Sequence, residues 1–369
     1  LLFGQPKGWQ MVLYFGLLVF CLCAWQKREE KKVRSSCMPV NFLTDLSGNA
    51  KVIFGLLIML PLCLLPVPGA AFEAAFLDVD QGDGIVLRER GGAVLLVDGG
   101  STGVQKVGEK RIIPYLKSQG IRVIDCAFVS HTDSDHMSGL EEILTAMPVN
   151  SAYRESVAGY TGTPVVKRLV LPAWDETDKA YQALLESARE KNVEVYYMKA
   201  GERMAVGEDL KLFCLAPETG VVYENKNAAS MVLLASYGEF DMLLTGDMEK
   251  EGELRLLECM YKEGETGLSI QTGAASEAVL NVGSVLDSLE VLKVSHHGSR
   301  TASSEKFVSI LRPCISVISC GKNNRYGHPH AETLETLYGA NSRVYRTDES
   351  GCVTVKVGKE RIAVEEFCK

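Results

Sequence analysis

The chain has 369 residues, 46% hydrophobic and 23% charged, with 34 Gly and 12 Pro. That composition excludes a disordered tail, a collagenous fibre and a coiled coil, and the length calls for two structural units rather than one core. The formal net charge of −8 excludes a surface that is basic throughout, while a local basic groove stays compatible with a polyanion.

The charge is unevenly placed: residues 1–76 hold seven Lys/Arg against four Asp/Glu, leaving 32 against 43 for residues 77–369. The first residue is Leu and an apolar run follows at once, so the chain is expected to be the carboxy-terminal part of a longer polypeptide. Gly8 to Trp25 is 18 residues without a charge and Val52 to Phe72 is 21, against the roughly 20 that cross a bilayer core. Trp9, Tyr14 and Trp25 lie near the ends of the first run, as interfacial aromatics do. Residues 1–71 are therefore expected to form two transmembrane helices, the alternative being a pair of buried core helices. The linker from Gln26 to Lys51 has six basic and three acidic residues. Basic loops stay cytoplasmic, which predicts a multi-pass cell-membrane protein whose residues beyond Gly69 are extracytoplasmic.

Residues 72–369 read as one α/β domain. Strands are predicted at AAFLDV, GIVLRE and AVLLVDGG, a helix near Val107 to Ser118, and a strand at VIDCAFVS. Helices are expected at Ser138 to Ala146 and Glu176 to Lys191, and strands at LKLFCLAP, SMVLLASY and FDMLLTGD. A helix from Met248 to Tyr261 follows, then EVLKV, a helix near Ser303 to Leu311, CISVIS, and terminal strands RVYRT and CVTVKV. Gly264 to Gly283 is polar and aperiodic and reads as an inserted loop. The 11 Cys include no CxxC spacing, and those in apolar strand runs (Cys126, Cys214) read as small buried hydrophobes.

All six histidines fall in three short clusters: His131 and His136 in SHTDSDH, His296 and His297 in VSHHGS, and His328 and His330 in YGHPH. The first two clusters directly follow apolar strand runs, at strand exits where sheets present ligands. His131, Asp133, Asp135 and His136 offer two imidazoles and two carboxylates within six residues, a donor set suited to zinc or manganese. LLTGD places Asp247 just past another strand; the N-cap of the following helix is its structural alternative.

Together FLDVDQGDGIVL, LLVDGG, SHTDSDHMSGL, SMVLLASYGEFDMLLTGD, VLKVSHHGSRTASS and NRYGHPH, in this order, resemble the carboxy-terminal domain of the ComEC family, the DNA-internalisation channel of natural competence. The wider resemblance is to the metallo-β-lactamase fold, a four-layer αββα sandwich. The ComEC-family resemblance covers residues 72 to 365, and the two hydrophobic runs resemble the end of that family's membrane region. The resemblance implies two divalent metal ions, Zn or Mn. His131 and Asp133 would hold the first, Asp135 and His136 the second, and Asp247 would bridge. His296 is favoured over His297 as the last ligand because it is nearer the strand end. Asp78, Gln81, Asp83 and Asp98 would line or brace the site, an Asp at a β-turn being equally a structural residue. Two departures stand out. The stretch between His136 and His296 contains no histidine, so the first metal loses an imidazole, and Asp80 replaces the family's Gly in DVGQGD, which bears on that turn's conformation.

A metal pair activates water and stabilises oxyanions, chemistry suited to phosphodiesters. Asp135 would orient the water or take its proton, and His328 would meet phosphate oxygens. Ser299, Lys293, Arg300, Asn324 and Tyr326 are candidate substrate-binding residues, and Lys306, Lys322 and Arg325 add positive charge, each with solvated surface charge as its alternative. The expected function is a nuclease domain that degrades one strand of incoming DNA, with single-stranded DNA, the membrane and an upstream channel region as partners. Its rivals are another extracytoplasmic phosphodiesterase or esterase and a non-catalytic DNA-guiding domain.

Overall fold

The computed structural model describes residues 8–34, 69–148, 162–173, 178–262, 289–358 and 361–367. The chain divides into two compact units, Leu1–Pro68 with Ser118–Gly120, and Gly69–Lys117 with Ile121–Lys369. In the first, helix α1 (Gly8–Arg34) takes up the first apolar run and continues through the charged residues from Lys27 to Arg34. No helix among the described residues is long and apolar enough to cross a membrane. The expected second helix, as far as residue 68, and the expected loop at 264–283 lie outside the described residues.

The second unit holds two sheets. One has eight strands in the order β15 (Ile362–Glu366), β14 (Val353–Val357), β1 (Phe72–Phe76), β2 (Ile85–Glu89), β3 (Val94–Val97), β4 (Val123–Phe128), β5 (Val165–Pro172), β6 (Glu194–Met198). The other has seven: β13 (Arg343–Arg346), β12 (Ile315–Ile318), β11 (Val291–Lys293), β10 (Phe240–Leu244), β9 (Val232–Tyr237), β8 (Leu210–Ala216), β7 (Arg203–Ala205). Alternation along each strand sorts its side chains into layers. Phe72, Ala74 and Phe76 of β1 meet Leu233, Ala235, Met242 and Leu244 of the other sheet in one core, while Ala75 and Leu77 face helices. Burial of both faces is why these strands read as near-continuous apolar runs.

Helices cover the two outer faces. α2 (Ile113–Ser118, entered through a π turn at Gly108–Ile112), α3 (Ser134–Ala146) and α4 (Lys179–Glu190) pack on the first sheet. α5 (Lys250–Lys262), α6 (Glu305–Leu311) and α7 (Ala331–Gly339) pack on the second; α8 (Thr347–Ser350) follows β13. α4 shows how the sequence fixes such a helix. Tyr181, Leu184, Leu185 and Ala188 form its buried stripe, and the Asp178 carboxylate caps its start by accepting from the Ala180 amide. The result is the expected four-layer αββα sandwich.

Two helix boundaries and one turn bear on the site. α3 begins at Ser134, so Asp135 and His136 sit in its first turn rather than in a preceding loop. α5 begins at Lys250, which places Asp247 in the turn before the helix, not at the N-cap of one starting at Met248. Asp80 has φ 68°, the left-handed region that a glycine enters freely and that Asp tolerates better than most side chains. The departure at this position therefore keeps the turn and strains it.

Candidate metal centre

The candidate groups stand at the carboxyl ends of β3, β4, β10 and β11, with the β1–β2 hairpin loop closing over them. Parallel pairing of β3 with β4 and of β10 with β11 aims these ends in common directions, and the two sheets bring them face to face. Glycines permit the close approach. A Cβ on Gly100 would lie 2.4 Å from the Asp135 carbonyl carbon and the His136 nitrogen. The Asp83 amide accordingly bonds the Asp135 carbonyl at 2.9 Å, and Gly100 donates to the Asp83 carbonyl at 2.9 Å. Gly246, at φ 52°, turns the chain after β10 against Ser130.

Four buried side chains, Asp83, His136, Asp247 and His297, each offer a ligand atom within 4.8 Å of all the others. His136 Nε2 lies 3.1 Å from Asp247 Oδ1, and His297 Nε2 lies 3.6 Å from Asp247 Oδ2. Both Asp83 oxygens, Asp247 Oδ1 and the Nε2 atoms of His131, His136 and His297 are buried without a hydrogen bond of proper geometry. Buried polar atoms are otherwise almost always satisfied. Those of Asp83, His136, Asp247 and His297 stand together as nitrogen and oxygen donors, a set that fits a divalent cation of the zinc or manganese kind.

The outer ring nitrogens are held in the way ligating histidines require. His136 Nδ1 donates to Asp98 Oδ2 at 3.0 Å, and Asp98 is fixed in turn by the Ser130 amide at 2.7 Å and hydroxyl at 2.8 Å. His297 Nδ1 donates to the Ser319 carbonyl at 2.9 Å, which turns Nε2 inward.

Electrostatics follow the same geometry. Burial pushes the Asp247 carboxyl up, but His136 and His297 beside it outweigh that and hold it well below the usual range. Burial lowers His136, and Asp247 and Asp98 more than reverse this, raising it well above its ordinary value; His297 is raised likewise by Asp247 and Asp83. His131, buried and facing His136, is pushed far down. Asp135 is raised by burial and lowered further by its His297 contact, to about 2.

The expected residues are distributed unevenly around this centre. Of the expected second set, His136 and Asp247 lie in the compact four, and Asp135 stands at the rim, its Oδ2 3.7 Å from His297 Nε2. His297, 1% exposed, completes the four, whereas the favoured His296 is more open, with Nε2 3.7 Å from Asp247 Oδ2. Proximity to the strand misleads here because both histidines adopt left-handed backbones, φ 50° and 54°, and the double twist carries the second imidazole inward. Asp83, expected to line or brace the site, is in the four. Asp98 contacts His136 Nδ1 and stands outside the four. Gln81 bridges outward, its Oε1 accepting from the Gly321 amide and its Nε2 contacting His328 Nδ1 at 3.3 Å. Asp78 faces away, toward Arg111 at 3.5 Å.

His131 and Asp133 form a looser pair. His131 Nε2 is 3.7 Å from Asp133 Oδ2 and 4.0 Å from Asp247 Oδ2, but Asp133, 44% exposed in its side chain, also leans to Lys226 at 3.5 Å. Lys226 is anchored on Asp178. The compact set is of a size to hold one ion, and His131 with Asp133 stands outside it.

Several expected substrate-binding residues have internal roles. Lys293 is 1% exposed: alternation on β11 sends Val291 and Lys293 inward and Leu292 outward, so its ammonium ties Asp83 to the Gly246 carbonyl at 2.9 Å across the sheets. It cannot track a nucleic-acid backbone from there. Ser299 is buried, its hydroxyl on Thr301 at 3.0 Å. The Asn324 amide binds its own loop, donating to the Gly321 and His328 carbonyls and accepting from the Tyr326 and His328 amides. Arg300 is exposed and pairs with Glu332 at 3.1 Å. Lys306, Lys322, Arg325 and Tyr326 are exposed, the last three in the loop before α7.

A β-sandwich flanked by helices with a buried Asp/His cluster at the strand ends defines the class, a metal-dependent hydrolase fold. The Metallo-beta-lactamase superfamily model matches residues 77–322, and the chain belongs to that superfamily. Within it, curated relatives are competence and recombination proteins. The chain is 31% identical over 309 residues to ComE operon protein 3 of Bacillus subtilis, covering 80% of this chain and 34% of that protein. It is 25% identical over 363 residues to Recombination protein 2 of Haemophilus influenzae, covering 94% and 39%. The chain thus spans little more than a third of the length of these relatives. Among solved structures, the metallo-beta-lactamase fold protein YhfI from Bacillus subtilis aligns over 80% of this chain and 100% of its own, at 10% identity and a TM-score of 0.45.

Proposed function

We propose that this chain is the hydrolase portion of a DNA-uptake protein and cleaves phosphodiester bonds of single-stranded DNA with a bound divalent metal. The observation that carries the reading is the buried cluster of Asp83, His136, Asp247 and His297, whose ligand atoms all lie within 4.8 Å of one another; the resemblance to the DNA-uptake family suggests the substrate class. Asp83, His136, Asp247 and His297 hold one ion tightly, and His131 with Asp133 form a weaker second position. The ion, when bound, supplies an activated water and neutralises charge on phosphate oxygens.

The protein's own groups do the rest. Asp135, ionised at any physiological pH with its pKa near 2, is an acceptor that orients a water rather than a proton carrier. His328 is pushed down to about 4, by burial and then by His297, His296 and His330, so it is neutral at pH 7. Gln81 Oε1 accepts from Gly321, which turns its amide nitrogen to His328 Nδ1. That leaves the His328 proton on Nε2, available to a phosphate or leaving-group oxygen.

The same reading places the domain outside a membrane, anchored through residues 1–71. On α1, Trp9, Val12, Phe15, Val19 and Phe20 are each more than half exposed, apolar surface that lipid or an upstream channel region would cover. The test is end-labelled single-stranded DNA incubated with the purified chain in manganese or zinc. Cleavage that chelator and Asp247→Ala both abolish is the expected result; full cleavage by Asp247→Ala would overturn it.

A further inference from the structure

Beside the metal centre, three side chains of the loop before α7 make a layered surface that hydrolysis itself does not require. The His328 ring centroid is 6.3 Å from that of His297 and 5.8 Å from that of His296. One ring further out, Tyr326 stacks on His328, with centroids 5.6 Å apart and planes 21° apart. The Arg325 guanidinium carbon lies 4.8 Å from the Tyr326 centroid, and its nitrogen donates to the Tyr326 hydroxyl at 2.6 Å. Tyr326 is nevertheless 41% exposed, so core packing does not account for it.

The loop is built to display this ring. All the hydrogen-bonding capacity of the Asn324 amide closes the loop on itself, through Gly321 O at 2.9 Å, His328 O at 2.6 Å, Tyr326 N at 3.1 Å and His328 N at 3.0 Å. Gly327 at φ 75° makes the turn that returns the chain to His328. Lys322 and Arg325 are exposed on it, and it has no carboxylate from Ser319 to Ala331. A fixed, cationic loop whose tyrosine ring stays 41% exposed between His328 and Arg325 has the two properties that hold single-stranded nucleic acid: positive charge for the backbone and a π surface for a base.

We propose that Tyr326, backed by His328 and flanked by Arg325, is a stacking platform for the nucleobase adjoining the scissile phosphate. This rests on the phosphodiesterase reading above and specifies how its substrate is held. Stacking is indifferent to base identity, so the platform selects unpaired strands without selecting sequence.

The test separates the two claims. A single-stranded oligonucleotide carrying 2-aminopurine is titrated with the purified chain in chelator, so that nothing is cleaved, and its fluorescence reports stacking. The wild-type chain quenches it. Tyr326→Ala weakens binding by about 5- to 150-fold, the range for one stacked base, Tyr326→Phe stays near wild type, and an abasic oligonucleotide binds the wild-type chain as weakly as Tyr326→Ala binds the intact strand. Unchanged thermal midpoints confirm that the exposed substitution leaves the fold intact. Binding by Tyr326→Ala within twofold of wild type, or abasic binding equal to that of the intact strand, overturns the platform. Cleavage in added metal is read separately: its absence alongside full quenching refutes the hydrolase and leaves the platform standing.

Discussion

Replacing one histidine of the adjacent pair and then the other discriminates between the ligand sets most sharply. His297 has one ring nitrogen tied to the Ser319 carbonyl and the other aimed at Asp247 and Asp135. His296 is half-buried and has several alternative partners, among them Glu249 at 3.5 Å and Thr301 at 3.3 Å. Structural zinc in four-ligand sites contributes about 10–16 kcal/mol, so one ligand accounts for about 3 kcal/mol, or about 100-fold in affinity. His297→Ala is therefore expected to weaken zinc binding by about 100-fold, whereas His296→Ala changes it by less than about 3-fold. Competition with a chromophoric chelator gives both affinities, and elemental analysis after dialysis gives the stoichiometry. Equal losses in the two variants, or a larger loss in His296→Ala, would refute the four-group centre.

Asp98→Asn keeps the shape but weakens the acceptor for His136 Nδ1, and should reduce metal affinity by about 10- to 100-fold; an unchanged chelator titration would remove Asp98 from the support of the site. Lys293→Met leaves Asp83 buried beside other carboxylates without its cation, which should destabilise the metal-free protein by about 3 kcal/mol, with bound zinc recovering part of the loss. Equal denaturant midpoints for variant and wild type in chelator would contradict this. Because the folded-state values of His136 and His297 are raised, their protonated forms stabilise the metal-free fold fully below about pH 6.5, and this is lost as pH rises through the raised values. Metal must displace those protons, so the gap between metal-loaded and metal-free thermal midpoints should widen with pH; a gap that narrows would contradict the assignment. Asp80→Gly relieves a left-handed strain of about 1–2 kcal/mol against the added freedom of glycine in the unfolded chain, and should raise the thermal midpoint by about 1–3 °C in a calorimetric scan.

The sandwich was legible where strands are buried on both faces, because near-continuous apolar runs such as AVLLV and VIDCAF admit few other readings. Three of the four edge strands were not, β13 alone being read as RVYRT. β6 has only Met198 of its five residues buried, β15 is exposed over most of its length, and β7 spans three residues; none carries a hydrophobic pattern. β5 is interior, but Lys167 and Arg168 interrupt its run. α7 is nine residues long with two of them buried, too short for a periodicity to emerge. At the site, residue types and strand ends were readable from motif spacing, yet three features were not. Which of two adjacent histidines faces inward depends on two backbone angles, the approach of Asp83 on the opposite side depends on sheet packing, and the direction of Lys293 depends on strand alternation. That alternation was the one available signal: in EVLKV the lysine stands two residues from the inward-facing Val291.

If hydrolysis depends on metal held by Asp83, His136, Asp247 and His297, metal binding and cleavage must rise together. Metal-free protein loaded stepwise with manganese or zinc can be measured for bound metal and for single-turnover cleavage of labelled single-stranded DNA in the same samples. No cleavage is expected in the metal-free sample, and the cleavage amplitude should rise in proportion to the metal bound at the tight site. Saturated metal with no cleavage, or cleavage that persists in the metal-free sample, would contradict it.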